Sequence, residues 1–92
     1  MARLRRSTLS NRVVDRLPVR EREAFYWDRD LPGFGVRVYP SGTKVYLVQG
    51  NGPGGARRVT VGRHGTFSAD AARRRGAELL VRIRAERKRS IT

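Results

Sequence analysis

The sequence predicts an α+β fold: a three-stranded antiparallel sheet packed on one face by a carboxyl-terminal helix, with a short amino-terminal helix. Apolar and polar residues alternate over three short segments, and turn residues separate those segments, which predicts the sheet. Apolar residues at helical spacing after residue 67 predict the long helix. With 92 residues, the chain forms one small domain whose core is one sheet face closed by one helix.

Glycine and proline divide the predicted sheet into strands. The strands are predicted at residues 33–39, 43–49 and 57–61. Residues 40–42 (Pro-Ser-Gly) suit a type I turn, with proline at the second turn position and glycine at the fourth. The glycine-rich residues 50–55 are predicted to form a flexible hairpin loop before the third strand.

Side-chain alternation predicts which face of the sheet is buried. The apolar set that should face the core is Phe34, Val36, Val38, Tyr46, Val48, Val59 and Val61. The set that should point away from the core is Gly35, Arg37, Tyr39, Val45, Leu47, Gln49, Arg58 and Thr60. The second strand has apolar residues on both of its faces, so alternation alone does not show which face is buried. We assign Tyr46 and Val48 to the core because this choice leaves the polar Gln49 in water. A slip of one residue would exchange its two faces.

Two helices are predicted outside the sheet. Ser10 offers an N-cap for a short helix at residues 11–17, and the charged residues 19–24 that follow are predicted to be irregular. The longer helix begins after Ser68, a second N-cap. Its apolar stripe, about 100° wide, contains Ala72, Gly76, Leu79, Leu80 and Ile83. Packing of this helix on the sheet is predicted to end near Ala85.

The net charge indicates a polyanionic partner. Lys and Arg total 21 against 8 Asp and Glu, which gives a formal net charge of +13. Residues 1–20 carry +5, residues 21–56 are neutral and residues 57–92 carry +8. Nearly all the cations are arginine, which suits bidentate contacts to phosphate or guanine.

Composition excludes several other classes of site. The chain has no cysteine and one histidine, which excludes a disulfide framework, a thiolate metal site and a multi-histidine metal site. No apolar run approaches the roughly 20 residues that span a membrane. The basic amino terminus is not followed by the apolar segment of a secretory signal, so we expect a cytoplasmic location and no membrane partner.

Four local features are assigned structural roles. The Gly33-Phe34-Gly35 run opens a strand and not a helix, so no helix N-terminus awaits the phosphates of a dinucleotide, and no cofactor is expected. Asp28 and Asp30 are predicted to cap backbone donors ahead of the first strand. Trp27 is predicted to pack in the core or at the sheet edge, with stacking on a base as the alternative. His64 is predicted to be a surface turn residue, with a phosphate contact as the alternative.

Five motifs in order along the chain carry a family resemblance. They are residues 9–14 (LSNRVV), 26–38 (YWDRDLPGFGVRV), 40–44 (PSGTK), 57–63 (RRVTVGR) and 67–73 (FSADAAR). This series resembles the amino-terminal arm-type DNA-binding domain of phage and genomic-island tyrosine recombinases (integrases). The resemblance covers most of the chain, and the ordered series is more specific than any single motif.

The resemblance implies both a mode of binding and a missing domain. It implies a three-stranded sheet that enters the major groove of arm-type sites flanking a recombination core. It also implies a catalytic recombinase domain later in the protein, which nothing in this sequence can replace. We therefore expect the chain to be the non-catalytic amino-terminal part of a tyrosine recombinase, with a basic arm at residues 1–8, the DNA-binding domain at residues 9–86 and the start of a linker at residues 87–92.

Candidate DNA contacts follow from the predicted faces and strand ends. The side chains that point away from the helix, and so address base edges and phosphates in the major groove, are Arg37, Tyr39, Gln49, Arg58 and Thr60. The cations at strand ends, which would contact phosphates without reading sequence, are Lys44, Arg57 and Arg63. The basic arm contains Arg3, Arg5 and Arg6, which would follow the backbone or a minor groove, or belong to a linker.

Double-stranded DNA is the expected partner, and other recombinase subunits are a second candidate. The isolated domain is expected to be monomeric. Two alternative functions stay open. A small sheet backed by a helix also suits a double-stranded RNA-binding module, and the sheet face or basic helix would also suit a protein-interaction module of a recombination complex.

Overall fold

The computed structural model describes residues 7–91, with side chains as far as Lys88. Its elements in chain order are α1 (Asn11–Asp15), β1 (Ala24–Trp27), β2 (Phe34–Val38), β3 (Lys44–Gly52), β4 (Gly55–Arg63) and α2 (Ala69–Ile91). The α+β class is confirmed, with an antiparallel sheet and a carboxyl-terminal helix. The predicted basic arm, with Arg3, Arg5 and Arg6, lies outside the described residues.

The sheet has four strands, in the order β1-β2-β3-β4, so the prediction of three strands is wrong. The additional strand is β1, which pairs with β2 so that Phe25 lies opposite Arg37 and Trp27 opposite Gly35. Sequence patterns miss β1 because Phe25, Tyr26 and Trp27 are all aromatic and show no alternation. A run of three aromatic residues nevertheless has high strand propensity, which is the signal that identifies it.

The β3–β4 hairpin is longer than the predicted strands. The two strands extend to a pair between Gly52 and Gly55, so most of the predicted glycine-rich loop is strand. Gly55 has a φ of 113°, a conformation that side chains disfavour, and it closes the hairpin. A β-bulge interrupts the ladder where Tyr46 pairs with Gly62 but Leu47 pairs with Thr60, which leaves Val61 as the extra residue in β4.

The face of the sheet that packs against α2 is the predicted one. The buried core contains the sheet residues Phe34, Val36, Tyr46 and Val48 together with Leu9, Val14, Ala69, Ala72, Leu80 and Ile83 from the helices and the amino-terminal segment. Val59 and Val61 pack against this core. A Cβ atom on Gly76 would lie 3.0 Å from both Phe34 and Val48, so glycine lets α2 approach the sheet closely.

Both helices have the predicted N-caps. The Ser10 hydroxyl accepts a hydrogen bond from the Val13 N–H (3.2 Å), and the Ser68 hydroxyl accepts one from the Ala71 N–H (3.1 Å). The helix α2 continues through residues 87–91, which the sequence pattern assigned to the start of a linker. Within residues 7–91, no helix is both long and apolar enough to span a bilayer.

The turn between β1 and β2 is organised by Asp28. Its carboxylate accepts hydrogen bonds from the backbone N–H groups of Leu9 (2.7 Å), Leu31 (2.8 Å) and Asp30 (3.1 Å). The predicted capping of backbone donors ahead of β2 is therefore confirmed for Asp28. Because two of these donors lie in the turn and one lies near the amino terminus, the same carboxylate also holds the start of the domain against the sheet.

Candidate nucleic-acid interface

One face of the sheet is covered by α2, and the other face carries most of the candidate contacts. We call the second one the outward face. By strand register it contains Phe25, Trp27, Arg37, Leu47, Gln49, Arg58, Thr60 and Arg63. Tyr39, directly after β2, joins them, because the Arg37 guanidinium lies 4.9 Å from the centre of its ring. Six of the eight predicted contact residues are thus brought together on one surface.

Arg37 is held in place by Glu23, Phe25 and Tyr39. Its Nε and Nη2 atoms donate hydrogen bonds of 3.0 Å and 2.6 Å to one carboxylate oxygen of Glu23. Its guanidinium carbon also lies 5.1 Å from the centre of the Phe25 ring, within the range of a cation–π contact. These contacts direct the Arg37 side chain across the outward face.

Arg58 reaches toward the same aromatic ring from the opposite edge strand. Its Nε and Nη2 atoms donate hydrogen bonds of 3.1 Å and 2.8 Å to the side-chain oxygen of Gln49. Its guanidinium carbon lies 4.6 Å from the centre of the Phe25 ring. Arg37 and Arg58 therefore meet at the Phe25 ring, and Gln49 joins this cluster through its hydrogen bonds with Arg58.

The other end of the outward face is simpler. Thr60 and Arg63 are exposed, and they lie opposite Leu47 and Val45 of β3. Among the ion pairs of residues 7–88, none includes Arg63. Its charge is therefore free to meet an anion at this end of the sheet.

Lys44 and Arg57 lie on the opposite face, where they hold the helices. The Lys44 ammonium donates hydrogen bonds to the carbonyl oxygens of Val14 (2.8 Å) and Asp15 (3.1 Å) at the end of α1, where a cation is favoured. Arg57 forms an ion pair with Glu86 of α2. Neighbouring side chains in a strand point to opposite faces, so Arg57 points toward the helix when Arg58 points outward. This alternation could have placed Arg57 correctly, whereas its position near the strand end could not.

Two aromatic residues of the outward face were not among the predicted contacts. The rings of Phe25 and Trp27 are stacked, with centroids 6.1 Å apart and planes inclined by 8°. Trp27 lies over Gly35, where a Cβ atom would come within 2.7 Å of the indole. Leu47, the cross-strand partner of Gly35, is 3% exposed although it belongs to the outward face. The prediction that Trp27 packs at the sheet edge agrees with this arrangement.

His64 is more enclosed than a surface turn residue. Its side chain is 16% exposed, and its two ring nitrogens lie 2.7 Å from the Tyr46 hydroxyl and 2.7 Å from the Asp15 carboxylate. Burial, assisted by the nearby charge of Asp15, raises the pKa of Tyr46 to about 12 against the opposing effect of Arg73. This chain of hydrogen bonds ties α1 to the buried face of the sheet, away from the candidate interface.

Comparison with known proteins identifies the family. A family model described as the Arm DNA-binding domain matches residues 9–89, which include α1, the whole sheet and all but the last two residues of α2. No curated protein and no solved structure matches the chain significantly. A domain of this family binds DNA in integrase-like proteins and is not itself catalytic. The chain belongs to the Arm DNA-binding domain family.

Proposed function

We propose that this domain binds arm-type sites in duplex DNA through the outward face, with the sheet in the major groove. The observation that carries the proposal is the cluster of Arg37, Gln49 and Arg58 on the one sheet face that α2 leaves uncovered. An antiparallel ribbon fits the major groove, which is about 12 Å wide. Arginine pairs with the O6 and N7 atoms of guanine, and glutamine pairs with adenine, so this cluster has the chemistry of direct base readout.

A second group of contacts would fix the position of the domain on the duplex. Arg63 and Thr60 lie along β4, where they would meet phosphates flanking the bases read by the cluster. Lys44 and Arg57 are not part of this group, since they contact α1 and α2 on the opposite face. In the complete protein, we propose that the domain positions a tyrosine recombinase whose catalytic domain lies further along the chain.

Two adjacent arginines give a matched test. Arg58→Ala removes a cation from the outward face, whereas Arg57→Ala removes one from the face that packs against α2. We expect Arg58→Ala to weaken binding to a selected duplex by about tenfold or more, because a bidentate base contact contributes about 1–3 kcal/mol. Arg57→Ala should leave the affinity nearly unchanged. Equal losses in the two variants would contradict the proposed interface.

The duplex for this test can be selected by the domain itself. Wild-type domain is incubated with a pool of duplex DNA containing a randomised segment, and the bound fraction is sequenced over successive rounds. Affinity for the enriched duplex is then compared with affinity for an unrelated DNA duplex and for double-stranded RNA of the same length. Preference for the enriched DNA supports the proposal, whereas preference for RNA supports the double-stranded RNA-binding alternative.

A test of the domain's role within a recombinase requires the full-length protein. Arg58→Ala in that protein should reduce recombination between DNAs that carry arm-type sites. Cleavage of an isolated core site should persist, because the catalytic domain is intact. Loss of core-site cleavage in the same variant would contradict a purely positioning role for this domain.

A further inference from the structure

Two guanidinium groups converge on one aromatic ring. The guanidinium carbons of Arg37 and Arg58 lie 5.1 Å and 4.6 Å from the centre of the Phe25 ring, although these residues belong to β2 and β4. The two cations can therefore be no further apart than the sum of these distances. Like charges repel, and the shared ring and the polar partner of each arginine oppose that repulsion.

Each arginine has one polar partner and a contact with Phe25, and Arg37 also contacts the ring of Tyr39. Glu23 accepts two hydrogen bonds from Arg37, and Gln49 accepts two from Arg58. Phe25 is the one contact common to both. The Phe25 ring in turn stacks on Trp27. Trp27 can lie close to the sheet because Gly35 beneath it has no side chain.

We infer that Phe25 is a positioning residue for base readout, which sets Arg37 and Arg58 as a pair before DNA arrives. This inference rests on the proposed function. A free arginine loses much rotamer entropy when it is fixed against a base edge, and a side chain already stacked on a ring loses less. The advantage applies to base contacts, which need defined geometry, and much less to phosphate contacts, which a mobile cation can also make.

The spacing of the pair also restricts the target. With base pairs about 3.4 Å apart along the helix axis, both guanidiniums lie within about three base-pair steps of one another. Guanine is the base that arginine reads best in the major groove. The enriched duplexes should therefore contain two guanines within about three steps, on the same or opposite strands.

The test compares side chains that differ in whether they present an aromatic face. Phe25→Leu and Phe25→Met keep an apolar side chain without a π system, while Phe25→Tyr keeps the ring. Val81→Ala, at an exposed apolar position of α2 that is 64% exposed, controls for the loss of surface apolar area. Circular dichroism identifies the variants that fold, and two non-aromatic substitutions ensure that one can be measured.

The mobility of the two arginine side chains distinguishes a positioning role of Phe25 from a purely structural one, because loss of stability alone would not mobilise these side chains in a folded variant. Relaxation of the arginine Nε resonances in the free domain should show ordered Arg37 and Arg58 in the wild type and in Phe25→Tyr. Both resonances should become more mobile in Phe25→Leu and Phe25→Met, and Arg58 should change more than Arg37, which keeps its contacts with Glu23 and Tyr39. Arg37 and Arg58 that stay ordered in both non-aromatic variants would overturn the inference.

Measurements of DNA affinity then separate base readout from the general electrostatic attraction to DNA. For Phe25→Leu and Phe25→Met we expect a loss of about three- to tenfold in affinity for the enriched duplex, with affinity for an unrelated duplex changed by less than about twofold. Phe25→Tyr should retain discrimination between the two duplexes. Undiminished discrimination without the ring would overturn the inference and leave the proposed function intact. A wild-type domain that enriches no duplex DNA would overturn the proposed function itself.

Discussion

Arg73 of α2 donates a hydrogen bond of 2.9 Å to the carboxylate of Asp28, which is completely buried. Arg73 also hydrogen-bonds the backbone oxygen of Leu9, so one side chain joins the amino-terminal segment, the β1–β2 turn and the long helix. Burial opposes the ionisation of Asp28, but the hydrogen bonds from Arg73 and from the Leu9 and Leu31 N–H groups outweigh it and hold the pKa of Asp28 below its usual range. In return, the hydrogen bond to Asp28 raises the pKa of Arg73.

Replacement of the buried carboxylate tests how much this contact stabilises the fold. Asp28→Asn keeps the shape of the side chain but puts an amide NH₂ where an oxygen now accepts hydrogen bonds, and it leaves Arg73 without its buried counter-charge. We expect the free energy of unfolding to fall by about 3 kcal/mol, measured by urea denaturation. Asp70→Asn removes the exposed partner of Arg73 and should cost under about 1 kcal/mol. Similar losses in the two variants would contradict a special role for Asp28.

The lowered pKa of Asp28 predicts a dependence of stability on acidity. An unperturbed aspartate has a pKa of 3.8, so the unfolded chain takes up this proton at a higher pH than the folded domain does. The stability contributed by the ion pair is therefore fully present well above pH 3.8 and is lost as the pH falls through the folded-state pKa. Urea midpoints measured across this range should fall less steeply for Asp28→Asn than for the wild type. Parallel curves would show that other carboxylates cause the acid sensitivity.

The close approach of Trp27 to Gly35 predicts that a single methyl group disturbs the outward face. A Cβ atom at residue 35 would lie 2.7 Å from the indole and 2.7 Å from the backbone oxygen of Tyr26, which cannot easily move. We expect Gly35→Ala to destabilise the domain by about 1–3 kcal/mol and to shift the fluorescence of Trp27, the single tryptophan of the chain. Gly54→Ala, where a Cβ atom meets nothing within 4 Å, is the control. An unchanged fluorescence spectrum in Gly35→Ala would argue against this packing.

Salt dependence distinguishes phosphate contacts from base contacts. Removal of a phosphate contact should reduce the slope of log affinity against log salt concentration by about 0.9. We expect Arg63→Ala to reduce the slope by this amount and to lower the affinity for the enriched and the unrelated duplex by the same factor. Gln49→Ala, which removes a neutral side chain from the cluster, should leave the slope unchanged and reduce discrimination between the duplexes. Reversed results for the two variants would exchange the roles assigned to these residues.

Glu23 should limit the attraction of the outward face for DNA. Its carboxylate neutralises Arg37 and would repel phosphates that approach the sheet. We expect Glu23→Gln to raise affinity for an unrelated duplex by about two- to fivefold, the range that an exposed ion pair allows, and to lower discrimination because Arg37 loses a partner. Glu21→Gln, which changes the net charge equally at an exposed position, should have a smaller effect. An equal gain in both variants would attribute the effect to net charge alone.

Alternation along the strands predicted much of the interface. In β2 and β4 it correctly directs Phe34 and Val36 toward the core and Arg37 and Arg58 away from it, because neighbouring side chains in a strand point to opposite faces. In β3 the polar Gln49 was enough to choose the correct parity. Alternation could not identify β1, whose residues are aromatic on both faces. Glycine composition likewise suggested a loop where cross-strand pairing extends the hairpin to Gly55.

The sequence by itself determined an α+β domain with one buried sheet face and one face that carries arginines, since local periodicity and charge are properties of neighbouring residues. Only the tertiary structure decided that β1 joins the sheet, that Lys44 and Arg57 hold helices, and that Phe25 lies beside two arginines from other strands. The physical reason is that long side chains contact groups that strand pairing brings near them. Those partners are up to tens of residues away along the chain, beyond the reach of any local pattern.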